Sequence, residues 1–462
     1  MAIKMVDREH EVERLRELAA SPPAFVVLRG RRRVGKTFLL RFALSGDRVL
    51  HLQAEEKPAS LQIEAFAREC SGLIPGEPPL SFTDWPAAFE FVEQQAKSGG
   101  PIVLVLDEFQ YLAASQPSLE SVIQRFWDRW ERSGVKIMVV LSGSALSFMG
   151  GLLSSSRPLH GRSGFRPLLL PLTYREAAEF APSDSSPAAL IQRFAVLGGT
   201  PQYQKWAGTK SLKEILEKVI LPPDAPLHNE PQHLIRQESG IREPGPYFGA
   251  LEAVASGYSK TTAVAARLGI GQQLASGFLS RLEELGYLAK VTPLEPGNKG
   301  RARGYWKVSD PYFRFWFRFV QPNRSRLARG RIKEVADDIR KQLPTFVGPI
   351  FEDCCREWVG RYSELGATPL QIGSWWSRRH DVEIDVTGIS KNEHLLLGAC
   401  KWSRSRTGMG TLQELLRAQE HLGARAAHAK LLIFSRSGFS EELLSHAKPP
   451  SVSLFAIEDL FN

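Results

Sequence analysis

Residues 24–44, AFVVLRGRRRVGKTFLLRFAL, join an apolar run, a glycine-bounded loop and an amphipathic run. The loop runs from Gly30 to Thr37 and fits the pattern G-x-x-x-x-G-K-S/T. In such a loop the glycines let backbone N–H groups turn inward around a β-phosphate, and the following helix adds the positive end of its dipole. The stretch therefore predicts a strand, a phosphate-binding loop and a helix, which is the start of an α/β nucleotide-binding fold.

The side chains of this loop have distinct expected roles. Lys36 is expected to reach the β- and γ-phosphates, and the Thr37 hydroxyl to ligate Mg²⁺. The other positions expected to bind the nucleotide are Gly30, Arg33, Val34 and Gly35. A nucleotide and Mg²⁺ are therefore the predicted cofactors.

Two further apolar runs are typical of buried parallel strands. PIVLVLDEFQYL, residues 101–112, ends its apolar part at Asp107 and Glu108. Since ligands gather at the carboxyl ends of strands in open α/β sheets, Asp107 is expected to face the Mg²⁺ held by Thr37. Glu108 is then placed to polarise the attacking water. VKIMVVLSGSAL, residues 135–146, brings Ser144 to the same edge, where it either senses the γ-phosphate or simply forms a turn.

Composition limits the class of protein. The chain has 462 residues, of which 43% are hydrophobic and 24% charged, as expected for a globular protein of two to four domains. The four cysteines form no C-x-x-C pair and the N-terminus has no signal-peptide pattern, which predicts a cytoplasmic protein. The sequence has no long uncharged apolar run, so the protein is expected to span no membrane. The formal charge of +9 makes an anionic partner plausible.

Positive charge is concentrated in residues 301–341. This basic segment contains twelve Lys or Arg residues against four Asp or Glu. Aromatic residues interleave with the basic ones in YWKVSDPYFRFWFRFV, residues 305–320, a pattern that fits either nucleic-acid contact or packing between domains. The number of aromatics favours packing for most of them.

Three motifs around the loop point to a family. They are MVDREHEVERL at 5–15, SSRPLHGRSGFRPLLLPLTYRE at 155–176 and AVLGGTPQYQKW at 195–206. Together with the loop and DEFQ, they resemble an AAA-type P-loop ATPase of the STAND-related clade often called archaeal ATPases. The resemblance implies ATP as the nucleotide, Arg8 near it, and Gly199 and Pro201 of a helical lid against its base. It also implies an arginine that steadies the γ-phosphate, for which Arg162 is the candidate and Arg157 the rival.

After a proline-rich spacer at 221–231, the chain predicts a winged helix-turn-helix. Helical spacing with glycine stops covers 246–257, 260–269 and 271–285, and ARGYWKV at 302–308 supplies a return strand. The third helix carries one basic residue, Arg281, against two acids, so reading of the DNA major groove is disfavoured. Two alternatives stay open: an arm that presses on the nucleotide domain, or DNA contact through the basic wing and tail.

In the same family, an aromatic segment joins the ATPase to a C-terminal domain of the PD-(D/E)xK nuclease class. The C-terminal third of this chain resembles that domain. That class implies an early acid on a helix, matched by Glu352, and an Asp on the next strand, matched by Asp385. The following strand should end in Glu-x-Lys, but it reads Ala399-Cys400-Lys401. Glu383, two residues before Asp385, is expected on the same strand face as a possible substitute. A degenerate nuclease fold is therefore expected, with a working nuclease as the alternative.

The sequence thus predicts an AAA-like P-loop core at 1–172, a helical lid at 173–235, a winged helix-turn-helix with connector at 236–320 and an α/β restriction-endonuclease-like domain at 321–462. The expected function is an Mg²⁺-dependent ATPase switch that handles nucleic acid in defence or repair. DNA is expected to bind through residues 301–341 and the C-terminal domain. The alternatives are a signalling ATPase that senses a protein or ligand without DNA, and an ATP-gated DNA nuclease.

Overall fold

The computed structural model describes residues 5–238, 241, 243–296, 304–363, 365, 369–447 and 451–462. The chain forms two compact units. The first comprises Met1–Pro171 with Gln237–Arg242, and the second comprises Leu172–Arg236 with Glu243–Asn462. Arg301 and Arg303 of the basic segment lie outside the described residues.

The first unit is an α/β layer structure built on a parallel sheet. Its strands are β1 Ala24–Gly30, β2 Val49–Gln53, β3 Ile102–Asp107, β4 Ile137–Gly143 and β5 Leu168–Leu169. Its helices are α1 Glu9–Ala20, α2 Lys36–Ala43, α3 Ala59–Ser71, α4 Trp85–Gly99, α5 Phe109–Ser115, α6 Leu119–Ser133 and α7 Leu146–Gly151. The strands pair in parallel in the order β2-β3-β4-β1-β5. The predicted α/β fold with a parallel sheet is confirmed.

Burial on both faces explains why the central strands are continuous apolar runs. All seven residues of β4 are buried, and β3 is buried at five of its six positions. In the register, Leu106 of β3 lies beside Leu141 of β4, and Arg29 of β1 lies beside Gly143. The segments that leave β1, β3 and β4 therefore start from one edge of the sheet, as parallel pairing requires.

The second unit begins with short helices and a small antiparallel hairpin. The elements before the hairpin are α8 Tyr174–Ala178, α9 Pro187–Leu197, α10 Pro201–Ala207, α11 Leu212–Glu214 with the π-helical turn Ile215–Ile220, α12 Glu230–Arg236, α13 Pro244–Ala255, α14 Thr261–Leu268 and α15 Gln272–Glu284. The antiparallel pair is β6 Leu288–Val291 and β7 Tyr305–Val308. Three helices and a two-stranded sheet thus occupy the positions at which the sequence predicts a winged helix-turn-helix.

The rest of this unit contains a second, mixed sheet. Its helices are α16 Pro311–Phe315 with the π-helical turn Trp316–Val320 and the 3₁₀ turn Gln321–Asn323, α17 Arg324–Ala328, α18 Ile332–Arg361, α19 Met409–Leu422 with the 3₁₀ turn Gly423–Ala426, α20 Glu441–His446 and the final 3₁₀ turn Ile457–Leu460. Its strands are β8 Gln371–Trp376, β9 Glu383–Ile389, β10 His394–Lys401, β11 Lys430–Ser435 and β12 Val452–Ala456. The order is β12-β11-β10-β9-β8, antiparallel from β8 to β10 and parallel from β10 to β12.

Aromatic residues of the predicted connector lie in the core of the second unit. Tyr312 and Trp316 are 0% exposed, and their polar atoms donate to the carbonyls of Leu227 and His228. The ring of Phe319 packs edge to face on Phe346 of α18 at 5.3 Å. The connector therefore ties the predicted lid to α18, and these rings pack in the interior, as the sequence favours for most of them.

No helix in the described part of the chain has the length and apolar character needed to cross a membrane.

Candidate functional site

The loop between β1 and α2 has the backbone shape expected of a phosphate-binding loop. Gly35 has φ +96°, and a Cβ added there would meet no atom within 4 Å. Gly30 is closely packed, since a Cβ there would lie 2.9 Å from the carbonyl oxygen of Leu169. Arg33 also lies in the left-handed region, with φ +68°. The glycines thus allow the turn at Gly35 and the close packing of Gly30 against β5. Helix α2 begins directly after Gly35, and no N-cap side chain covers its first N–H groups.

Lys36, the first residue of α2, folds back over the loop. Its side chain is 4% exposed, and Nζ donates to the carbonyl oxygens of Gly30 at 2.9 Å and Arg31 at 3.2 Å. Burial lowers the pKa of Lys36, while the charges of Glu108 and Asp107 act in the opposite direction. Its ammonium group is therefore already positioned inside the loop, with two carboxylates as its counter-charge.

Thr37 and Asp107 form the pair expected to hold Mg²⁺. Thr37 Oγ1 donates to Asp107 Oδ2 at 2.6 Å, and the Asp107 side chain is fully buried. Burial raises the pKa of Asp107, but the polar side chains of His51, Thr37 and Ser142 outweigh it and hold that pKa at about 2. One ionised carboxylate beside one hydroxyl is a donor set that suits Mg²⁺. These residues therefore fit the implied ion.

Glu108 is held in a defined direction by its neighbours. Its backbone is left-handed, with φ +53° and ψ 45°. Glu108 Oε2 accepts from the Ser144 hydroxyl at 2.6 Å and from the Ser144 N–H at 3.2 Å, whereas Oε1 lies 3.9 Å from Lys36 Nζ. One carboxylate oxygen is thus bound by the end of β4, and the other faces the lysine.

Two residues at this edge were missed by the sequence reasoning. Gln110 Nε2 donates to Glu108 Oε2 and to Ser144 Oγ, and a Cβ on Gly143 would lie 2.6 Å from Gln110 Oε1. His51 Nε2 lies 3.7 Å from Asp107 Oδ2. The available signals were the Gln two positions after Glu108 and the single His inside the otherwise apolar start of VLHLQ.

The three arginines implied by the family resemblance have other partners. Arg8 Nη2 donates to the carbonyl of Leu170 at 2.6 Å, next to the strand that flanks Gly30. Arg162 forms a two-pronged ion pair with Asp128 at 2.7 and 2.8 Å, and Arg157 pairs with Glu120. Both candidates for the γ-phosphate are thus held by α6, and the choice between them stays a prediction.

The two lid residues lie in the second unit. Leu172 N–H donates to Gly199 O at 2.7 Å, and a Cβ on Gly199 would lie 1.9 Å from Leu172 O. Pro201 is the first residue of α10. Close backbone packing is therefore sufficient to require glycine at 199, and a contact of Gly199 or Pro201 with a nucleotide base stays a prediction.

The predicted nuclease carboxylates lie along a cavity in the second unit, called the second cavity below. Glu352, Glu383 and Asp385 contribute to its wall, and its volume is about 930 Å³. Burial and then the charge of Asp385 raise the pKa of Glu352 to about 7. Burial likewise raises the pKa of Asp385, whose Oδ2 accepts from the N–H of Cys400 at 2.7 Å. The structure brings these three acids to one cavity, but two of them favour the neutral form more than usual.

Glu383 is the first residue of β9, the strand that also contains Asp385. Strand β9 pairs Thr387 with Gly373 but Ile384 with Trp375, so β9 has one extra residue between these pairs. The extra residue lies between Ile384 and Thr387, and therefore on the C-terminal side of Glu383. Glu383 and Asp385 both line the cavity, and the role of Glu383 as a substitute acid stays a prediction.

The remaining positions of the predicted nuclease motif, Ala399 and Lys401, contact α19. Lys401 Nζ pairs with Glu414 of α19 at 2.9 Å. Ala399 is 8% exposed and packs in an apolar cluster with Leu412 and Leu415 of the same helix. Among the described residues, no group of three His, Cys, Asp or Glu side chains is arranged to hold a metal ion. The position of the missing acid is thus part of the core.

The parallel sheet, the loop around Lys36 and the Thr37–Asp107 pair define an ATPase domain. Residues 5–203 match a family described as an ATPase domain predominantly from Archaea. Residues 316–412 match a family described as archaeal and bacterial proteins of unknown function. Residues 5–203 are thus similar to archaeal ATPase domains, and residues 316–412 are similar to that second family.

Three of the similar proteins come from archaea. The uncharacterized protein MJECL04 of Methanocaldococcus jannaschii is 28% identical over 406 residues, which are 86% of this chain and 87% of that protein. The Walker-type ATPase PABY2304 of Pyrococcus abyssi is 18% identical, with a TM-score of 0.48 over 68% of this chain and 96% of the other. The ORC1 protein of Aeropyrum pernix, solved in complex with DNA, is 15% identical, with a TM-score of 0.37 over 71% and 94%.

Proposed function

We propose that this protein is an Mg²⁺-dependent ATPase switch. The observation that supports it is the meeting of Lys36, Thr37, Asp107 and Glu108 at the carboxyl edge of the first sheet. Each of these side chains has the chemistry that one step of phosphoryl transfer to water requires. The same residues are those at which the sequence places the two nucleotide motifs.

Different groups of the chain bind the phosphates and the metal ion. Backbone N–H groups at the start of α2 bind phosphate oxygens, and Lys36 exchanges its loop carbonyls for the β- and γ-phosphates. Thr37 and Asp107 hold Mg²⁺, which neutralises the phosphate charge when it is bound. Because the pKa of Asp107 is about 2, this carboxylate stays ionised across the whole physiological range.

Glu108 supplies the base for the attacking water. Its Oε2 is occupied by Ser144 and Gln110, so Oε1, on the side of Lys36, is the oxygen placed to accept a hydrogen bond from water. Ser144 and Gln110 therefore act as positioning residues. They fix the direction of the carboxylate before the nucleotide arrives, which reduces the reorganisation needed for hydrolysis.

ATP turnover in Mg²⁺ and in EDTA tests this proposal. Wild-type protein should hydrolyse ATP only with Mg²⁺, and Lys36→Ala should abolish nucleotide binding or turnover. Lys136→Ala is the matched control, because Lys136 is exposed and directly precedes β4, at the opposite edge of the sheet. Equal turnover in the Lys36 variant and wild type would reject the assignment.

The second part of the proposal is that the switch handles nucleic acid without cutting it. The supporting features are the three-helix segment with its β6–β7 hairpin and the positive charge of the second unit. Burial of Ala399 among Leu412 and Leu415 favours loss of the metal site. Stimulation of ATP turnover by duplex, branched or single-stranded DNA separates this role from a signalling ATPase, and metal-dependent cleavage would select an active nuclease.

A further inference from the structure

Two short loops of similar sequence leave neighbouring parallel strands of the second sheet. Residues 402–408, WSRSRTG, follow β10, and residues 436–438, RSG, follow β11. Lys401 and Ser435 are register partners at the ends of these strands. The two segments, called the twin loops below, therefore start side by side at a carboxyl edge, which is where open α/β sheets bind ligands.

The twin loops are fixed to each other by hydrogen bonds. Arg436 N–H donates to Lys401 O at 3.1 Å, Ser437 Oγ donates to Ser403 O at 2.6 Å, and Thr407 N–H donates to Gly438 O at 2.9 Å. The guanidinium of Arg436 also lies over the ring of Trp402, 4.7 Å from its centroid. The loop backbones and one arginine are thus held in place by the protein itself.

A pocket of about 560 Å³ opens between the twin loops and α18. Its charged lining residues are Arg404, Arg436, Arg340, Lys341 and Asp337. Four cations thus face one carboxylate, and Asp337 already pairs with Arg340 at 3.2 Å. Burial and the neighbouring charge of Arg404 both lower the pKa of Arg436. The pocket therefore concentrates like charges, and an anion would relieve their repulsion.

Much of the basic segment 301–341 is used differently. Lys307 and Arg314 both bind Asp353 at 2.9 Å, and Arg326 binds Asp338 at 3.0 Å. Arg324 donates to two amide side chains, those of Asn229 and Gln232. These contacts stabilise the fold of the second unit. Arg340 and Lys341, at the end of the segment, also pair with acids of α18, Asp337 and Asp338, but they line the charged pocket.

We propose that the twin loops, with Arg340 and Lys341 of α18, bind consecutive phosphate groups of a nucleic-acid backbone. The inference rests on the nucleic-acid part of the proposed function and gives it a location. Several cations spread along one pocket suit a row of phosphates, and arginine forks match phosphate oxygens in geometry. The wall also includes Gln192 of α9, the helix that leads into Gly199, so the bound backbone lies against the predicted lid.

Salt-dependent binding of a labelled DNA duplex to the full chain tests the site. Arg404→Glu with Arg436→Glu should weaken binding about tenfold or more and reduce the slope of log affinity against log salt by about two, because two phosphate contacts are lost. Arg425→Glu is the matched control: Arg425 is exposed and precedes β11, so the same charge change falls at the opposite end of that strand. Arg404→Ala, at an exposed position, serves if the double variant does not fold.

The outcomes separate this site from the wider proposal. Wild-type protein that binds no nucleic acid overturns the nucleic-acid function itself. Binding that is equally strong in wild type, the double variant and Arg404→Ala overturns only the location. Inorganic phosphate that displaces the duplex at millimolar concentration, without a general salt effect, would show a pocket for single phosphates and also overturn it.

Discussion

The two sheets of this protein each present polar residues at strand ends, and they differ in what those residues contact. In the first sheet, Asp107 bonds to Thr37, and Glu108 bonds to Ser144 and faces Lys36. In the second, Asp385 bonds to a backbone N–H and Lys401 pairs with Glu414 of α19. The first set of side chains forms one connected group from separate strands. The second set is attached mainly to its own scaffold.

The protonation of the carboxylates shows the same contrast. Donors around Asp107 overcome its burial and hold its pKa at about 2, so it is ready to bind a cation. Burial and Asp385 raise the pKa of Glu352 to about 7, so this acid is partly protonated near neutrality. A pair of acids that favours protonation competes poorly for Mg²⁺, because the ion binds the ionised form. This difference supports the proposal that metal-assisted chemistry takes place at the first site.

The largest expected effect is that of Glu108→Gln on ATP turnover. The amide keeps the size of the side chain but removes the base, so turnover should fall by about 10²- to 10⁴-fold. Nucleotide affinity should change little, since Lys36 and the loop are unaltered. Steady-state turnover and equilibrium binding of a fluorescent ATP analogue measure the two quantities separately.

Glu90→Gln is the control for this variant, because Glu90 is exposed on α4 and the chemical change is identical. Turnover at the wild-type rate in Glu108→Gln would remove Glu108 from the role of base. The first site would then be a nucleotide-binding group without its hydrolytic residue, and the contrast between the two sheets would weaken.

The first site could be predicted from sequence because its parts are local. Lys36 and Thr37 belong to one loop, and Asp107 and Glu108 follow one apolar strand, so strand register alone brings them together. Gln110 was accessible in principle, since it lies two residues after Glu108. For His51 the sequence shows only an isolated polar residue in an apolar strand, because its approach to Asp107 depends on which strand pairs with β3.

The second site shows where sequence reasoning stops. Strand β9 has a single-residue bulge between Ile384 and Thr387, and no local pattern around DVEIDV predicts it. The burial of Ala399 depends on α19, which follows in the sequence but packs against β10 through Leu412 and Leu415. The union of lid, connector and C-terminal segments in one unit depends on long-range contacts such as that of Trp316 with His228.

The next effect in size concerns the missing acid. From the motif alone, Ala399→Glu would restore a nuclease ligand. Because Ala399 packs among Leu412 and Leu415, the new carboxylate should instead lower the free energy of unfolding by about 1–3 kcal/mol. Urea unfolding measures this change, with Ala427→Glu at an exposed position as control. A variant of undiminished stability that cuts DNA in Mg²⁺ or Mn²⁺ would show that the site needs only this one acid.

A smaller effect is expected from pH. The pKa of Glu352 rises from 4.5 to about 7 on folding, so the folded state binds the proton more tightly than the unfolded state. The stability that this contributes is present below pH 4.5 and is lost as pH rises toward 7. With the side chain 31% exposed, the loss should be about 1–2 kcal/mol. Glu352→Gln should flatten this dependence, measured by unfolding at several pH values.

Glu420→Gln, at an exposed position of α19, should leave the pH dependence as in wild type. An unchanged profile in Glu352→Gln would mean that Glu352 ionises normally in the folded protein. The acids of the second cavity would then resemble Asp107 more closely than proposed, and metal binding there would need to be tested directly.

The smallest effect is predicted for two exposed cations of the basic segment, Arg329 and Lys333. They lie among arginines with structural partners, such as Arg326 with Asp338 and Arg331 with Glu334. Reversing those paired arginines would break ion pairs as well as change the local charge, so they are poor probes of a DNA-binding surface. Arg329 and Lys333 change the same local charge without breaking these ion pairs.

The twin loops are the proposed phosphate site, so the double variant Arg329→Glu with Lys333→Glu should have only a small effect on binding. Beyond the general effect of charge, its affinity for the duplex should change less than about twofold, and the slope of log affinity against log salt should stay almost unchanged. The double variant Arg404→Glu with Arg436→Glu is the comparison in which a large loss of affinity is expected. Arg425→Glu measures the general effect of a charge reversal. A slope reduced by about two in the Arg329 and Lys333 variant would indicate that both side chains contact phosphates. The nucleic-acid surface would then extend along the basic segment as well as the edge of the second sheet, and the positive charge of the segment would have a binding role in addition to its internal ion pairs.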